Sequence, residues 1–178
     1  IMKKCSKMMQ TIIKCPKPII AEVAGTATAA GCQLVASCDL AYASNSAKFA
    51  TPGVNIGLFC STPMVAISRN LTNKHSMEML LTGELISSKK AAEIGLINEV
   101  IESTKLKDFV LDKAQKISKK SSVTLKIGKE AFYKQLDMKL SDAYDYASNV
   151  MVENMLKLDA KEGIEAFIEK RKPNWQDK

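Results

Sequence analysis

The stretch VAGTATAAGCQL, residues 23–34, decides the fold class. It follows the short, β-branched run IIAEVA at residues 19–24, which is typical of a mostly buried strand. Residues 32–37 then read as a helix, and residues 39–43 read as a second strand. The small side chains between these elements let the helix lie close behind the first strand. The order strand, tight turn, helix, strand predicts an α/β fold.

The turn at residues 27–31 has two interpretations. A helix that begins directly after a strand exposes backbone N–H groups, and its dipole favours negative charge at that end. Small side chains would also let a ligand approach the main chain, so these donors suit a phosphate or an oxyanion. Tight packing of helix on strand requires the same small residues, however. The spacing by itself leaves both interpretations open.

Periodicity predicts the elements on either side of this turn. Residues 1–14 carry apolar side chains at helical spacing, and Pro16 and Pro18 stop that helix. Thr62 before a proline is typical of an N-cap and predicts a helix from Pro63 to Leu71.

The second half of the chain reads as almost entirely helical. Ser87 and Gly95 bracket a short helix, and residues 96–101 form the last predicted strand. Asp159 and Glu162 have the spacing of a capping box at the start of the final helix. We therefore expect one domain with a partial α/β core at residues 1–104 and a helical region at residues 105–178.

Composition narrows the classes of function. The net charge of +7 favours anionic partners. Five cysteines, an odd number without C-x-x-C spacing, argue against a zinc site and a disulfide framework and indicate a reducing compartment. No apolar run is long enough to span a bilayer, so we expect no membrane partner. The single histidine, His75, is interpreted as a surface residue, and the start at Ile1 indicates a fragment.

Several motifs together resemble the enoyl-CoA hydratase/isomerase family. The strand, turn and helix at residues 18–39 look like its central motif, and the resemblance extends to the end of the chain. One mitochondrial subfamily is particularly similar at residues 51–60 and 170–173. The other matching segments are residues 49–53 and 57–59, residues 77–83 with 86–88, and residues 162–172.

The resemblance implies a crotonase-like fold of repeated ββα units with a C-terminal helical trimerisation region, whose N-terminal part is missing from this chain. It also implies a homotrimer or hexamer. The expected ligand is an acyl-CoA thioester, with coenzyme A as part of the substrate rather than as a permanent cofactor, and with no metal. The expected location is the mitochondrial matrix, or the cytoplasm if the source is bacterial.

Residue by residue, the resemblance assigns the backbone N–H of Ala30 to an oxyanion hole. The two catalytic glutamates of the family's hydratases align with Gln33 and Gly53, neither of which transfers protons near neutral pH. We therefore expect ordinary hydratase activity to be lost. The double change Gln33→Glu with Gly53→Glu is expected to restore it, provided that Gly53 does not have a positive φ.

Four further residues are assigned a role. Asn55 and Cys60 lie in the same loop as Gly53 and are candidate substitutes for the missing carboxylates. Phe167 and Lys170 match an aromatic residue and a lysine that meet the adenine and phosphate end of coenzyme A, often from a neighbouring subunit. A core phenylalanine and a solvated lysine would explain this last pair equally well.

Three functional hypotheses follow. The first is an enzyme that acts on acyl-CoA thioesters with a noncanonical base, as a lyase or isomerase of fatty acid metabolism. The second is a noncatalytic acyl-CoA-binding or regulatory protein. The third is RNA binding through the lysines of residues 105–120, but Phe109 is the only aromatic residue there for base stacking, so a solvated helix is preferred over a nucleic-acid site.

Overall fold

The computed structural model describes residues 1–178 and contains six strands and nine helices. The chain forms two compact units. The first consists of Ile1–Ile13 with Ile19–Lys113, and the second of Lys14–Pro18 with Ala114–Lys178. All six strands lie in the first unit, and the second unit is helical apart from its connections and tail.

The elements follow one another from α1 to α9. The strands are β1 (Ile20–Val23), β2 (Thr26–Thr28), β3 (Leu40–Ser44), β4 (Lys48–Ala50), β5 (Ile86–Ser87) and β6 (Glu99–Ile101). The helices are α1 (Met2–Lys14), α2 (Ala30–Ser37), α3 (Ser61–Ile67), α4 (Asn73–Thr82), α5 (Ser88–Glu93), α6 (Leu106–Ser118), α7 (Ser122–Gln135), α8 (Leu140–Met155) and α9 (Leu158–Ile168), with a 3₁₀ helix at Pro52–Ile56.

The first sheet has the order β1-β3-β6, and all of its strands are parallel. Ala21 lies opposite Ala41, and Ala43 lies opposite Val100. The expected strand, turn, helix, strand unit is therefore present. Glu22 interrupts the apolar sequence of β1, and its side chain is exposed on a strand that has a partner on only one side in this sheet.

A second sheet, with the order β2-β4-β5, was not predicted from the sequence. β2 pairs with β4 in parallel and β4 pairs with β5 antiparallel. The strands are two or three residues long, so hydrophobic alternation does not develop in them. The stretch from Thr26 to Thr28, which the sequence indicates as a turn, is one of these strands.

The core of the first unit is built around small side chains. Cys32 on α2 and Phe49 on β4 are fully buried, as is Ile67 on α3. Alanines of β1 and β3 fill the space between them. The small residues let α2 approach β2 and not the first strand β1, since a Cβ atom at Gly31 would lie 3.9 Å from the Cβ of Ala27 and α2 has few contacts with β1.

The helix boundaries confirm one predicted cap and correct another. The Ser87 hydroxyl accepts a hydrogen bond from the Lys90 N–H at 3.2 Å, so the predicted start of α5 is right. Thr62, in contrast, lies inside α3, which begins one residue earlier after Cys60 and has no side-chain cap. Pro63 suggested that Thr62 is the N-cap. A proline is also tolerated elsewhere in the first turn of a helix, because the N–H groups there have no partner within the helix, and Pro63 lies in the first turn of α3.

The capping box predicted for Asp159 and Glu162 is also wrong. α9 begins after Lys157, and the Asp159 carboxylate is buried. Its oxygens accept hydrogen bonds from the backbone N–H groups of Gln176, at 2.7 Å, and Asp177, at 3.1 Å. The two carboxylates hold residues from the end of the chain instead of capping their own helix.

The C-terminal segment at residues 171–178, which we call the tail, is tied to the second unit at several points. Glu162 forms a two-pronged ion pair with Arg171, at 2.6 and 3.0 Å, and accepts the Asn174 N–H at 2.7 Å. The indole N–H of Trp175 donates to the Lys119 carbonyl at 2.8 Å. None of the nine helices is both long and apolar enough to cross a membrane.

Candidate active site

The N-terminus of α2 presents free backbone donors in the first unit. The Gln33 N–H donates to the Ala29 carbonyl at 2.9 Å, which is the first hydrogen bond of the helix. The amides of Ala30, Gly31 and Cys32 precede that bond and have no acceptor within α2. This is the arrangement that the prediction for Ala30 requires, because an amide already bonded inside a helix is not available to a ligand.

Ala29 holds this turn in a backbone conformation that L-residues rarely adopt. Its φ is 48° and its ψ is −113°, although it carries a side chain. The conformation is maintained from both sides, because the Ala29 N–H donates to the Ala50 carbonyl at 3.0 Å and its own carbonyl accepts from Gln33. Sequence reasoning missed Ala29, since a glycine is the usual signal for a positive φ and none stands here.

Gln33 is buried on α2, with 4% of its surface exposed. The Cys5 thiol on α1 lies 3.8 Å from the side-chain oxygen of Gln33, which is a weak contact. An amide neither donates nor accepts a full proton near neutral pH, so Gln33 offers hydrogen bonding but no general acid or base.

Gly53 lies in the 3₁₀ helix, where the backbone folds back tightly. The Leu58 N–H donates to the Gly53 carbonyl at 2.9 Å. A Cβ atom added at Gly53 would lie 2.5 Å from the Leu58 carbonyl oxygen and 2.9 Å from the Cys60 sulfur. The φ of Gly53 is not in the left-handed region. Space rather than backbone angle therefore excludes a side chain here, and Gly53→Glu is not tolerated by the loop as it stands.

This close approach predicts opposite effects for two glycine substitutions. Gly53→Ala should destabilise the protein by about 1–3 kcal/mol, because a backbone carbonyl has to move. Gly128 in α7 has no atom within 4 Å of the corresponding position, so Gly128→Ala should stabilise by about 0.5–1 kcal/mol through helix propensity. Denaturant unfolding of both variants measures the difference. Equal effects from the two substitutions would contradict the packing argument at Gly53.

The other predicted residues of this loop occupy different environments. The Asn55 side chain is exposed, and its amide nitrogen lies close to Gly83. Cys60 is buried beside Gly53. The Thr51 hydroxyl, which sequence reasoning did not single out, anchors the loop by donating to the Met79 carbonyl at 2.8 Å. The loop thus brings Gly53 and Cys60 together, whereas Asn55 faces the end of α4.

A second buried thiol lies on α2. Burial, with a smaller contribution from the nearby Cys60, raises the pKa of Cys32 to about 12 against the opposing effect of the Ala50 N–H. Cys32 is therefore a neutral thiol at any ordinary pH and does not serve as a nucleophile. No group of three His, Cys, Asp or Glu side chains is positioned to hold a metal ion.

Phe167 and Lys170 lie in the second unit, at the end of α9. The Phe167 side chain is 84% exposed, and Lys170 is exposed as well. Lys170 has a φ of 55°, and the Arg171 N–H donates back to the Ala166 carbonyl at 3.0 Å. This is a helix end of the kind that glycine usually occupies, so a lysine here adopts a strained backbone.

Comparisons with known proteins agree with this fold. The family described as enoyl-CoA hydratase/isomerase matches residues 1–178. The mitochondrial enoyl-CoA hydratase domain-containing protein 3 of Rattus norvegicus is 51% identical over 175 residues, which cover 98% of this chain and 58% of that protein. The Homo sapiens protein of the same name is 49% identical over 175 residues, again covering 98% and 58%. The chain thus spans less than two thirds of these relatives.

Solved structures give the same result. The crystal structure of human enoyl Coenzyme A hydratase domain-containing protein 3 superposes with a TM-score of 0.96 at 50% identity, covering 98% of this chain and 69% of that one. An enoyl-CoA hydratase from Mycobacterium smegmatis superposes with a TM-score of 0.96 at 46% identity, covering 98% and 68%. The predicted crotonase-like fold and the resemblance are therefore confirmed. The chain belongs to the enoyl-CoA hydratase/isomerase family.

Proposed function

We propose that this chain is part of a protein that binds acyl-CoA thioesters without catalysing ordinary enoyl-CoA hydration. The observation that carries the proposal is the combination, in one unit, of free amides at the start of α2 with a buried amide side chain at Gln33 and a closed backbone at Gly53. The amides suit a thioester carbonyl, whereas no carboxylate is available at either of the two positions.

In this proposal the Ala30 N–H polarises the thioester carbonyl. Such a donor stabilises negative charge on oxygen whether or not a reaction follows, so it serves binding as well as catalysis. If the full-length protein is an enzyme, Cys60 is the nearest group to Gly53 that carries a proton, and Asn55 offers only hydrogen bonds. The alternative is a regulatory acyl-CoA binder, and measurement of product from a bound thioester distinguishes the two.

Phe167 and Lys170 are proposed to hold the adenine and phosphate end of coenzyme A. The exposed ring offers a stacking face, and the ammonium group neutralises phosphate charge. The positive φ of Lys170 supports a role for its side chain, because glycine would fit this backbone at lower cost.

Two substitutions at Lys170 test this role. Lys170→Gly should stabilise the protein by about 0.5–1 kcal/mol and weaken coenzyme A binding by about threefold to tenfold, because strain and charge are both removed. Lys170→Ala should weaken binding to the same extent without the gain in stability. Calorimetric titration with coenzyme A and thermal unfolding measure the two properties. Unchanged affinity in both variants would exclude Lys170 from the site.

We also propose assembly into a homotrimer or hexamer. Helices of the second unit expose large apolar side chains, and such surfaces are usually covered in the functional state. Sedimentation velocity is expected to show no stable monomer. A monodisperse monomer at micromolar concentration would contradict the assembly and any sharing of Phe167 between subunits. The most exposed of these side chains are Leu140, Leu156, Phe167 and Ile168.

The proposed location is the mitochondrial matrix, because several relatives are named as mitochondrial proteins. Organelle fractionation of the source cells tests this assignment. Recovery of the full-length protein in the cytosolic fraction would contradict it.

A further inference from the structure

Positive charge is concentrated in one part of the second unit. Residues 114–135 contain six lysines and a single acidic residue, Glu130. Residues 136–178, in contrast, carry nine carboxylates against six lysines and one arginine. The net charge of the chain is therefore not spread evenly, and the end of α6 with α7 holds much of it.

These lysines lie in consecutive parts of the second unit. Lys116 is in the last turn of α6, and Lys119 and Lys120 are in the turn that follows it. Lys126 and Lys129 share a side of α7, and the Lys129 ammonium donates to the Lys17 carbonyl at 3.1 Å, which adds a third segment. We call this set, Lys17, Lys116, Lys119, Lys120, Lys126 and Lys129, the basic face.

From this arrangement we propose that the basic face binds the surface of a membrane containing anionic phospholipids. Clusters of four to eight lysines are attracted electrostatically to such surfaces, and each lysine near the surface raises the affinity roughly fivefold. α7 is about 20 Å long, so its charges extend over an area wider than a single phosphate group. Binding of this kind needs no membrane-spanning segment, but it runs against the sequence-based expectation of no membrane partner.

The chemistry of the face favours a lipid surface over a nucleic acid. All of its cations are lysines, which act as point charges, and it lacks the planar guanidinium groups that pair and stack with nucleotides. The neighbouring aromatic ring of Trp175 is already engaged, because it covers Gly163 and its N–H is bonded to Lys119. The exposed Phe132 lies three positions after Lys129 on α7 and could stack with a base, so the preference for a lipid surface rests on the absence of arginine from the face.

Vesicle cosedimentation tests the proposal with phosphatidylcholine vesicles prepared with and without phosphatidylglycerol. The protein should bind only the anionic vesicles and should be released by salt. The triple variant Lys119→Gln, Lys120→Gln, Lys126→Gln should bind about a hundredfold more weakly. The control triple Lys139→Gln, Lys157→Gln, Lys161→Gln removes the same charge from exposed positions outside the face and should retain most of the binding.

Three results would overturn the proposal. Equal losses in the two triple variants would mean that net charge alone drives binding, and binding to pure phosphatidylcholine would mean that charge does not drive it. Tighter binding to polyuridine than to anionic vesicles would assign the face to RNA. Circular dichroism and thermal unfolding of both variants check that the six exposed substitutions leave the fold intact.

Discussion

Hydration of a short enoyl-CoA should proceed at the uncatalysed rate in the presence of this protein, while an unreactive acyl-CoA analogue should bind. General acid and base groups contribute about 10² to 10⁴ each to such rates, and neither Gln33 nor Gly53 supplies one. Affinity is expected to come instead from backbone donors, the Phe167 ring and the Lys170 charge, none of which requires a carboxylate. Loss of enoyl-CoA absorbance and calorimetric titration measure the two properties.

A single substitution sharpens this test. Gln33→Glu is nearly isosteric and supplies one carboxylate, but hydration requires both water activation and a proton for the α carbon. Because groups that act as a unit are not additive, the variant should stay close to the background rate. Robust hydration by the wild-type protein would refute the proposed loss of activity. Absence of binding by the full-length protein would remove the acyl-CoA proposal itself.

Removal of the Asp159 carboxylate should release the tail. Asp159→Ala deprives the Ser121 hydroxyl and the N–H groups of Gln176 and Asp177 of their shared acceptor. The cost should be about 2–4 kcal/mol, since hydrogen bonds to a buried charged group are lost together. Trp175 is the only tryptophan, so its fluorescence should shift to the red as the tail leaves Gly163.

The control for this prediction is Asp145→Ala, which removes an exposed carboxylate from α8 and should change stability by less than about 0.5 kcal/mol. Unshifted tryptophan emission in Asp159→Ala would show that the carboxylate does not hold the tail.

Acidification should also weaken the attachment of the tail. Hydrogen bonds from Arg171 and from the Asn174 N–H lower the pKa of Glu162 from 4.5 to about 2, so the stability that these bonds add above pH 4.5 is lost as the pH falls towards 2.

The parts of the fold that sequence predicts are those with regular periodicity or one-residue signals. α1 has a strong apolar face ended by prolines, and the Ser87 cap fixes the start of α5. The mostly buried β1 and β3 read as short β-branched or small-residue runs. These features depend on residues within a few positions of one another, which is the range over which a sequence pattern carries information.

The missed features depend on contacts distant in the chain. β2 forms because β4 lies beside it, and nothing in Thr26–Thr28 alone specifies that pairing. Asp159 and Glu162 have the spacing of a capping box, but their carboxylate oxygens accept hydrogen bonds from backbone N–H groups of the tail instead of capping α9. In the candidate site, the free amides of α2 follow from the small-residue turn, whereas the Leu58 carbonyl against Gly53 follows only from the three-dimensional path of the loop.

The close approach of Leu58 to Gly53 also constrains the order in which mutations can accumulate. A glutamate at position 53 meets a backbone oxygen, so it becomes acceptable only after the segment from Gly53 to Cys60 has taken another path. Selection for hydration that begins from this sequence should therefore first enrich changes in residues 54–60 that are neutral for catalysis. A library that varies only Gln33 and Gly53 should therefore yield no active variant, because the loop at residues 54–60 would still clash with a glutamate at position 53.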